Sequence, residues 1–143
     1  DRLLGIKMRN VNPNSDQRYR AVGGSKAGLF NYDAVNLTPD RVYVVKGEIA
    51  AMVMLERGLL ACAPTGGESM RLGERYQTAL GLADCIVIGD NDSDPIVQAK
   101  TTKFAKRRAK TLGAKLFFPP EEYKDVDEWI LDDPKATLKL KSL

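Results

Sequence analysis

The sequence has 143 residues, 43% of them hydrophobic, and a net charge of +3 from 22 Lys/Arg and 19 Asp/Glu, with no histidine. That length suits one domain and is short for two, and the apolar share excludes a wholly disordered chain. Without histidine there is no Ser-His or Cys-His triad, no histidine base and no ordinary zinc or non-haem iron centre, which leaves catalysis to carboxylates, lysines, arginines or a hard metal held by oxygen atoms.

No run of about 18 apolar residues is present, which excludes a membrane-spanning helix, and no secretory signal precedes the first strand-like segment. The chain opens on Asp1 rather than Met, which fits a piece cut from a longer protein. Cys62 and Cys85 each sit inside an apolar run. They read as buried free thiols and fit a reducing, cytoplasmic setting. Charge is uneven: residues 1–47 carry eight Lys/Arg against four Asp/Glu, and residues 121–133 carry seven acids and one Lys. A basic front and an acidic rear suit a polyanion on one side only.

Residues 3–9 and 17–22 read as short strands joined by the turn residues Asn12 to Asp16, hence a hairpin. Residues 23–28 are a Gly-rich loop without Walker spacing, and Thr38-Pro39-Asp40 is a break. From Arg41 the rhythm changes. Arg41 to Val45 is a β-branched run of the kind buried on both faces. Glu48 to Arg57 is helical, with Gly58 as its stop. Leu59 to Ala63 is a second strand, Pro64 to Gly67 a loop, and Ser69 to Leu82 a helix that Ser69 or Glu68 caps. Asp84 to Ile88 is a third strand, ending at Gly89-Asp90-Asn91-Asp92. A long helix runs from about Asp94 to Leu112, with Pro95 in its first turn and Gly113 as its end. Ala114 to Phe118 is a fourth strand, Val126 to Leu131 a short helix, and Lys135 to Leu143 an exit segment of ambiguous type.

Four strand–helix alternations predict an α/β fold: a mainly parallel four-stranded sheet flanked by helices, with a small N-terminal β-rich segment. Right-handed crossovers bring all four strand C-termini to one edge, where ligands of such sheets bind. The loops there are Lys46-Gly47-Glu48, Pro64 to Gly67, Asp90 to Asp92, and Pro119 to Asp127. Asp90 and Asp92 form an Asp-x-Asp pair after a buried strand. In extended chain, residues two apart point the same way, and two such carboxylates suit Mg²⁺. A polar turn is the other reading. Asp125 and Asp127 either complete an acidic cluster or cap the helix that follows.

The order Val44-Val45-Lys46-Gly47-Glu48-Ile49, then Ala63-Pro64-Thr65-Gly66-Gly67, then Ile86-Val87-Ile88-Gly89-Asp90-Asn91-Asp92, then Lys124-Asp125-Val126-Asp127-Glu128-Trp129 resembles the Toprim domain of bacterial and phage DNA primases and primase-helicases. The resemblance covers residues 41 to about 131. It implies a lead-in segment over 1–40, a Toprim domain over 41–131 and an exit segment over 132–143. It also implies Mg²⁺ or Mn²⁺ held by Asp90, Asp92 and Asp125 for nucleotidyl transfer in DNA replication. The chain departs from the pattern where a family glutamate falls on Lys46 and a second acidic position falls on Ala50. A lysine there repels a dication: two unit charges about 4 Å apart interact by roughly 4 kcal/mol at an effective dielectric of 20. Lys46 therefore disables the centre, or Glu48 takes over the missing role, or the domain binds nucleic acid or partners without catalysis.

Arg9, Arg18, Arg20 and Lys26, interleaved with Tyr19, suit single-stranded DNA, with Lys46 added at the rim. The lysines and arginines of the long helix read as a solvated face or as phosphate contacts. Three functions follow. The first is a primase domain making RNA primers from nucleoside triphosphates on a single-stranded DNA template, beside a replicative helicase domain. The second is a non-catalytic nucleic-acid-binding module of a phage or plasmid replication protein. The third is a Toprim nuclease.

Overall fold

A computed structural model describes residues 6–12 and 19–143, with Arg9 described by its backbone alone. The expected turn over 13–16, the strand residues 3–5 and Arg18 lie outside the described residues. β1 (Lys7–Arg9) pairs antiparallel with β2 (Tyr19–Ala21), giving the expected hairpin.

After the hairpin come β3 (Leu29–Phe30), α1 (Tyr32–Val35), β4 (Arg41–Val44), α2 (Glu48–Glu56), β5 (Ala61–Pro64), α3 (Glu74–Gly81), β6 (Asp84–Ile88), α4 (Pro95–Leu112), β7 (Lys115–Phe117), α5 (Val126–Asp132) and α6 (Ala136–Lys141). The sheet order is β3-β5-β4-β6-β7. The four expected strands are parallel, and β3 adds a fifth, antiparallel to β5. The exit segment folds as α6, with Ala136 and Leu140 fully buried.

The apolar runs are continuous because both faces of the sheet are covered. Alternate residues point to opposite faces. Tyr43, Val45, Ala61, Ala63, Ile86 and Ile88 pack under α2, α5 and α6. Val42, Val44, Cys62, Cys85 and Val87 pack under α3 and α4. Both cysteines are free and buried, and burial pushes the Cys85 thiol up to about 12. The base of the sheet is clasped by Arg41, whose guanidinium donates twice to one Asp84 oxygen (2.9 and 2.7 Å) and once to the Lys141 carbonyl (2.8 Å).

Helix ends follow local chemistry. Asp94 caps α4 by accepting from the amides of Ile96 and Val97, with Pro95 at the first position and Gly113 at φ 62° past the end. Gly58, φ 70°, closes α2. α3 starts at Glu74 rather than Ser69, and neither Ser69 nor Glu68 caps it. Instead, the Glu68 and Ser69 carbonyls accept from Arg108 (2.7 Å) and Arg107 (2.9 Å) of α4, and those long-range bonds hold the segment out of the helix.

Chain direction places the rim. From β4 the chain moves outward to β5, then returns to the other side of β4 as β6. The order reverses between β4 and β6, which is where open parallel sheets form their ligand crevice. The residues just past those two strands are Lys46 and Asp90.

Candidate nucleic-acid and acidic-rim site

Val44 is in register with Val87, so Lys46, two residues past Val44, and Asp90, three residues past Val87, emerge from neighbouring strand ends. Gly89 lies between strand and motif, and its amide donates to the Phe117 carbonyl at 2.9 Å. A Cβ at Gly89 would overlap the Phe118 ring just past β7, so a larger residue there would force that ring aside.

Lys46 Nζ lies 3.1 Å from Asp90 Oδ2 and 3.5 Å from Glu68 Oε2. The Asp90 side chain is 15% exposed and that of Lys46 is 38% exposed. Burial alone would lower the Lys46 pKa, but attraction to Asp90 and then Glu68 outweighs it and leaves the ammonium above its usual value. An ion pair on its own would also lower Asp90. Its pKa is raised nonetheless, because burial outweighs Lys46, and Asp125 and Glu68 add like charge. Both directions follow from the same half-dry setting: Lys46 is firmly charged, and Asp90 is stabilised by Lys46 alone against its neighbours. With one partner open to water, the pair contributes about 1–2 kcal/mol.

The Asp90–Asp92 loop is stitched to the segment after β7 by Asn91. Its side-chain amide donates to the carbonyls of Pro119 (3.0 Å), Pro120 (3.2 Å) and Tyr123 (3.0 Å), and its backbone N–H donates to the Lys124 carbonyl (2.7 Å). This is how Asp125 comes to Asp90. Asp125 also caps α5, accepting from the Glu128 amide at 3.0 Å, which is the capping alternative of the sequence reading. Asp127 joins them: burial, then Asp125 and Asp90, push its carboxyl up to about 6.

The other expected ligands are engaged elsewhere. Asp92 turns toward α4, where its Oδ1 accepts from the Asp94 amide at 3.1 Å. Glu48 is held by Lys7, whose ammonium lies 2.8 and 3.0 Å from its two oxygens. Among the described residues no three carboxylates or thiols are grouped as a metal-ligand set. With an ammonium against Asp90 as well, the rim as it stands does not fit a divalent cation.

Among the described basic residues of the hairpin, Lys7 and Arg20 lie on opposite faces. Cross-strand partners share a face, and the register pairs Met8 with Arg20 and Arg9 with Tyr19. Tyr19 therefore lies on the Lys7 face, with Lys7 Nζ 4.8 Å from its ring centre, and Arg20 is on the opposite face. Lys26 is exposed in the following loop. Sequence reasoning missed Lys7 and Glu68 as participants and gave Asn91 no role.

The Asp127 shift has a measurable consequence. Its folded value of about 6 lies above its ordinary value of 3.8. The folded state thus holds a proton that the unfolded state has lost. This favours folding below pH about 4, and the contribution disappears as pH rises through about 6. Asp127→Asn should therefore raise stability at pH 7 by about 1 kcal/mol, discounted for a half-buried side chain. The gain should vanish at pH 4, as read from urea midpoints at the two pH values.

No helix among the described residues is long and apolar enough to cross a membrane. No protein-family model matches the chain, and no curated protein matches it. Several solved chains share its fold, two DnaG structures among them. The DnaG catalytic core is 19% identical, with a TM-score of 0.69 over 96% of this chain and 46% of that one. The DnaG primase catalytic domain bound to ssDNA is 15% identical, with a TM-score of 0.64 over 94% of this chain and 48% of that one. The chain spans about half the length of each. Its five-stranded α/β sheet with an N-terminal hairpin has the fold of about half of the DnaG catalytic core.

Proposed function

We propose that this chain is a Toprim-type domain of a primase-related replication protein. In this reading it holds single-stranded nucleic acid while its own rim is closed to metal-dependent nucleotidyl transfer. The observation that carries the reading is the Lys46 ammonium 3.1 Å from Asp90, at the crevice between β4 and β6. A cation fixed in the protein neutralises the best-buried carboxylate of the rim, and Glu48, the nearest substitute ligand in sequence, is occupied by Lys7. The likeness to a primase domain bound to ssDNA supports nucleic acid as the partner. The exposed residues Arg20, Lys26 and Tyr19 are candidates for contacting it, together with Arg9 and Arg18.

A second reading is a Mg²⁺- or Mn²⁺-dependent primase domain making RNA primers. It draws support from Asp127, whose carboxyl is held up near 6 by burial first and then by the charges of Asp125 and Asp90. Such crowding is the condition a dication relieves.

Primer synthesis on a single-stranded template, with nucleoside triphosphates and either metal, separates the two. Oligonucleotide binding without primers is the expected outcome. Primers from the unaltered chain, abolished in Asp90→Asn, would establish the second reading instead. Nicking of duplex DNA without nucleotides would point to a nuclease.

A further inference from the structure

Beside the loop that carries Glu68 is a cavity of about 220 Å³ between that loop, α3 and α4. Arg71, Arg107 and Arg108 line it with Gln77 and Thr111, over an apolar floor that includes Met70. Arg107 and Arg108 are aimed by their bonds to the Ser69 and Glu68 carbonyls. Among the described residues none of the three arginines is in an ion pair. Arg108 is 7% exposed, and burial and the Arg107 charge both lower its pKa, against a weaker pull from Glu68. The cavity thus concentrates positive charge that the protein leaves largely uncompensated.

A second feature continues it. α4 carries Lys100, Lys103, Lys106, Arg107, Arg108 and Lys110 and no acid between Pro95 and Leu112. Lys100, Lys103, Arg107 and Lys110 follow helical three- and four-residue spacing and form one exposed ridge that reaches the cavity at Arg107. None of these lysines is ion-paired among the described residues. Like charges at this spacing oppose one another and weaken the helix, so an anion laid along the ridge is stabilising. From Lys100 to Lys110 the ridge is about 15 Å long at 1.5 Å per residue, enough for more than one phosphate.

We propose that the arginine cavity and the α4 ridge form a seat for the phosphate backbone of a single-stranded nucleic acid, separate from the hairpin and from the Lys46–Asp90 rim. The proposal rests on the reading of the chain as a nucleic-acid-binding domain. The ridge favours a strand over a free nucleotide, and guanidiniums favour phosphate through paired N–H donors.

Fluorescence anisotropy with labelled oligothymidylate, across a range of salt, tests it on the whole chain. Arg71 and Arg107 are both exposed, and Arg108 still holds the Glu68 carbonyl when Arg107 is lost, so Arg71→Ala/Arg107→Ala should stay folded and melt within a few degrees of the parent. It should bind about tenfold more weakly at low salt, with the slope of log K against log salt shallower by about 1.4, or 0.7 per lost phosphate contact. Unchanged binding and slope in that variant, with loss in Arg20→Ala/Lys26→Ala, would overturn the seat and leave the nucleic-acid reading standing. Mononucleotide or inorganic phosphate competing as well as the oligonucleotide would overturn the strand assignment. An unaltered chain that binds no oligonucleotide would overturn both.

Discussion

Trp129→Ala is expected to cost about 3–5 kcal/mol and to lower the melting temperature by about 10–15 °C. Trp129 is 1% exposed and is the largest fully buried side chain. Its ring stacks on Phe117 at 5.8 Å, its indole N–H donates to Asp133 at 3.2 Å, and Lys139 lies 5.6 Å from its ring. It therefore ties β7, α5 and α6 together over one face of the sheet. Truncation opens a void too large for the backbone to close, which is the costliest kind of core change. The loss is a large part of the 5–15 kcal/mol that holds an ordinary domain folded. Because α5 begins at the acidic rim, looser packing there should also bring Asp127 back toward its ordinary value. Thermal melts followed by circular dichroism give the first quantity, and carboxyl titration by NMR gives the second. Trp129→Phe, which keeps a ring on Phe117, should recover most of the loss.

Lys46→Glu should change the chemistry of the rim most. In the unaltered chain Asp90 is close to Lys46, Glu68 and Asp125, and only Lys46 is positive. Exchanging that ammonium for a carboxylate leaves a half-dry acid among like charges. The expected cost is about 2 kcal/mol without metal, below the 3–5 of a fully buried pair because Lys46 is partly exposed. Mg²⁺ should then restore stability, by about 1.4 kcal/mol at ten times its dissociation constant. Urea unfolding with and without Mg²⁺ measures both. Lys46→Met separates the two effects: it loses the bridge, gains no ligand and should show no rescue by metal.

Much of the fold was legible because its determinants are local. The runs Arg41 to Val45 and Asp84 to Ile88 have the continuous apolar character of strands covered on both faces, and α4 carries its own start and stop in Asp94, Pro95 and Gly113. β3 was not legible, since two residues carry no periodicity and Leu29–Phe30 is a strand only because β5 accepts it as a partner. α3 was read five residues too long at its start because Arg107 and Arg108, some 40 positions away, claim the carbonyls of Ser69 and Glu68 where the helix was expected to begin. Arg108 itself reads as one more charge of a solvated face, yet it is buried.

The rim divides the same way. The placement of Lys46 beside Asp90 follows from strand order and register. Glu68 meets Lys46 across 22 positions in a loop with no local signal. Glu48 could be judged only once the hairpin was in place, because its partner Lys7 comes from there. Asn91 reads as a turn residue between two acids, and its three carbonyl contacts depend on a loop some 30 residues on.

The most direct test of the closed rim is a calorimetric titration of the unaltered chain with Mn²⁺ at neutral pH. The expected result is no saturable binding below about millimolar concentration, because a resident ammonium already neutralises Asp90. Saturable binding in the micromolar range, lost in Asp90→Asn, would contradict the account, since the metal would then be displacing Lys46.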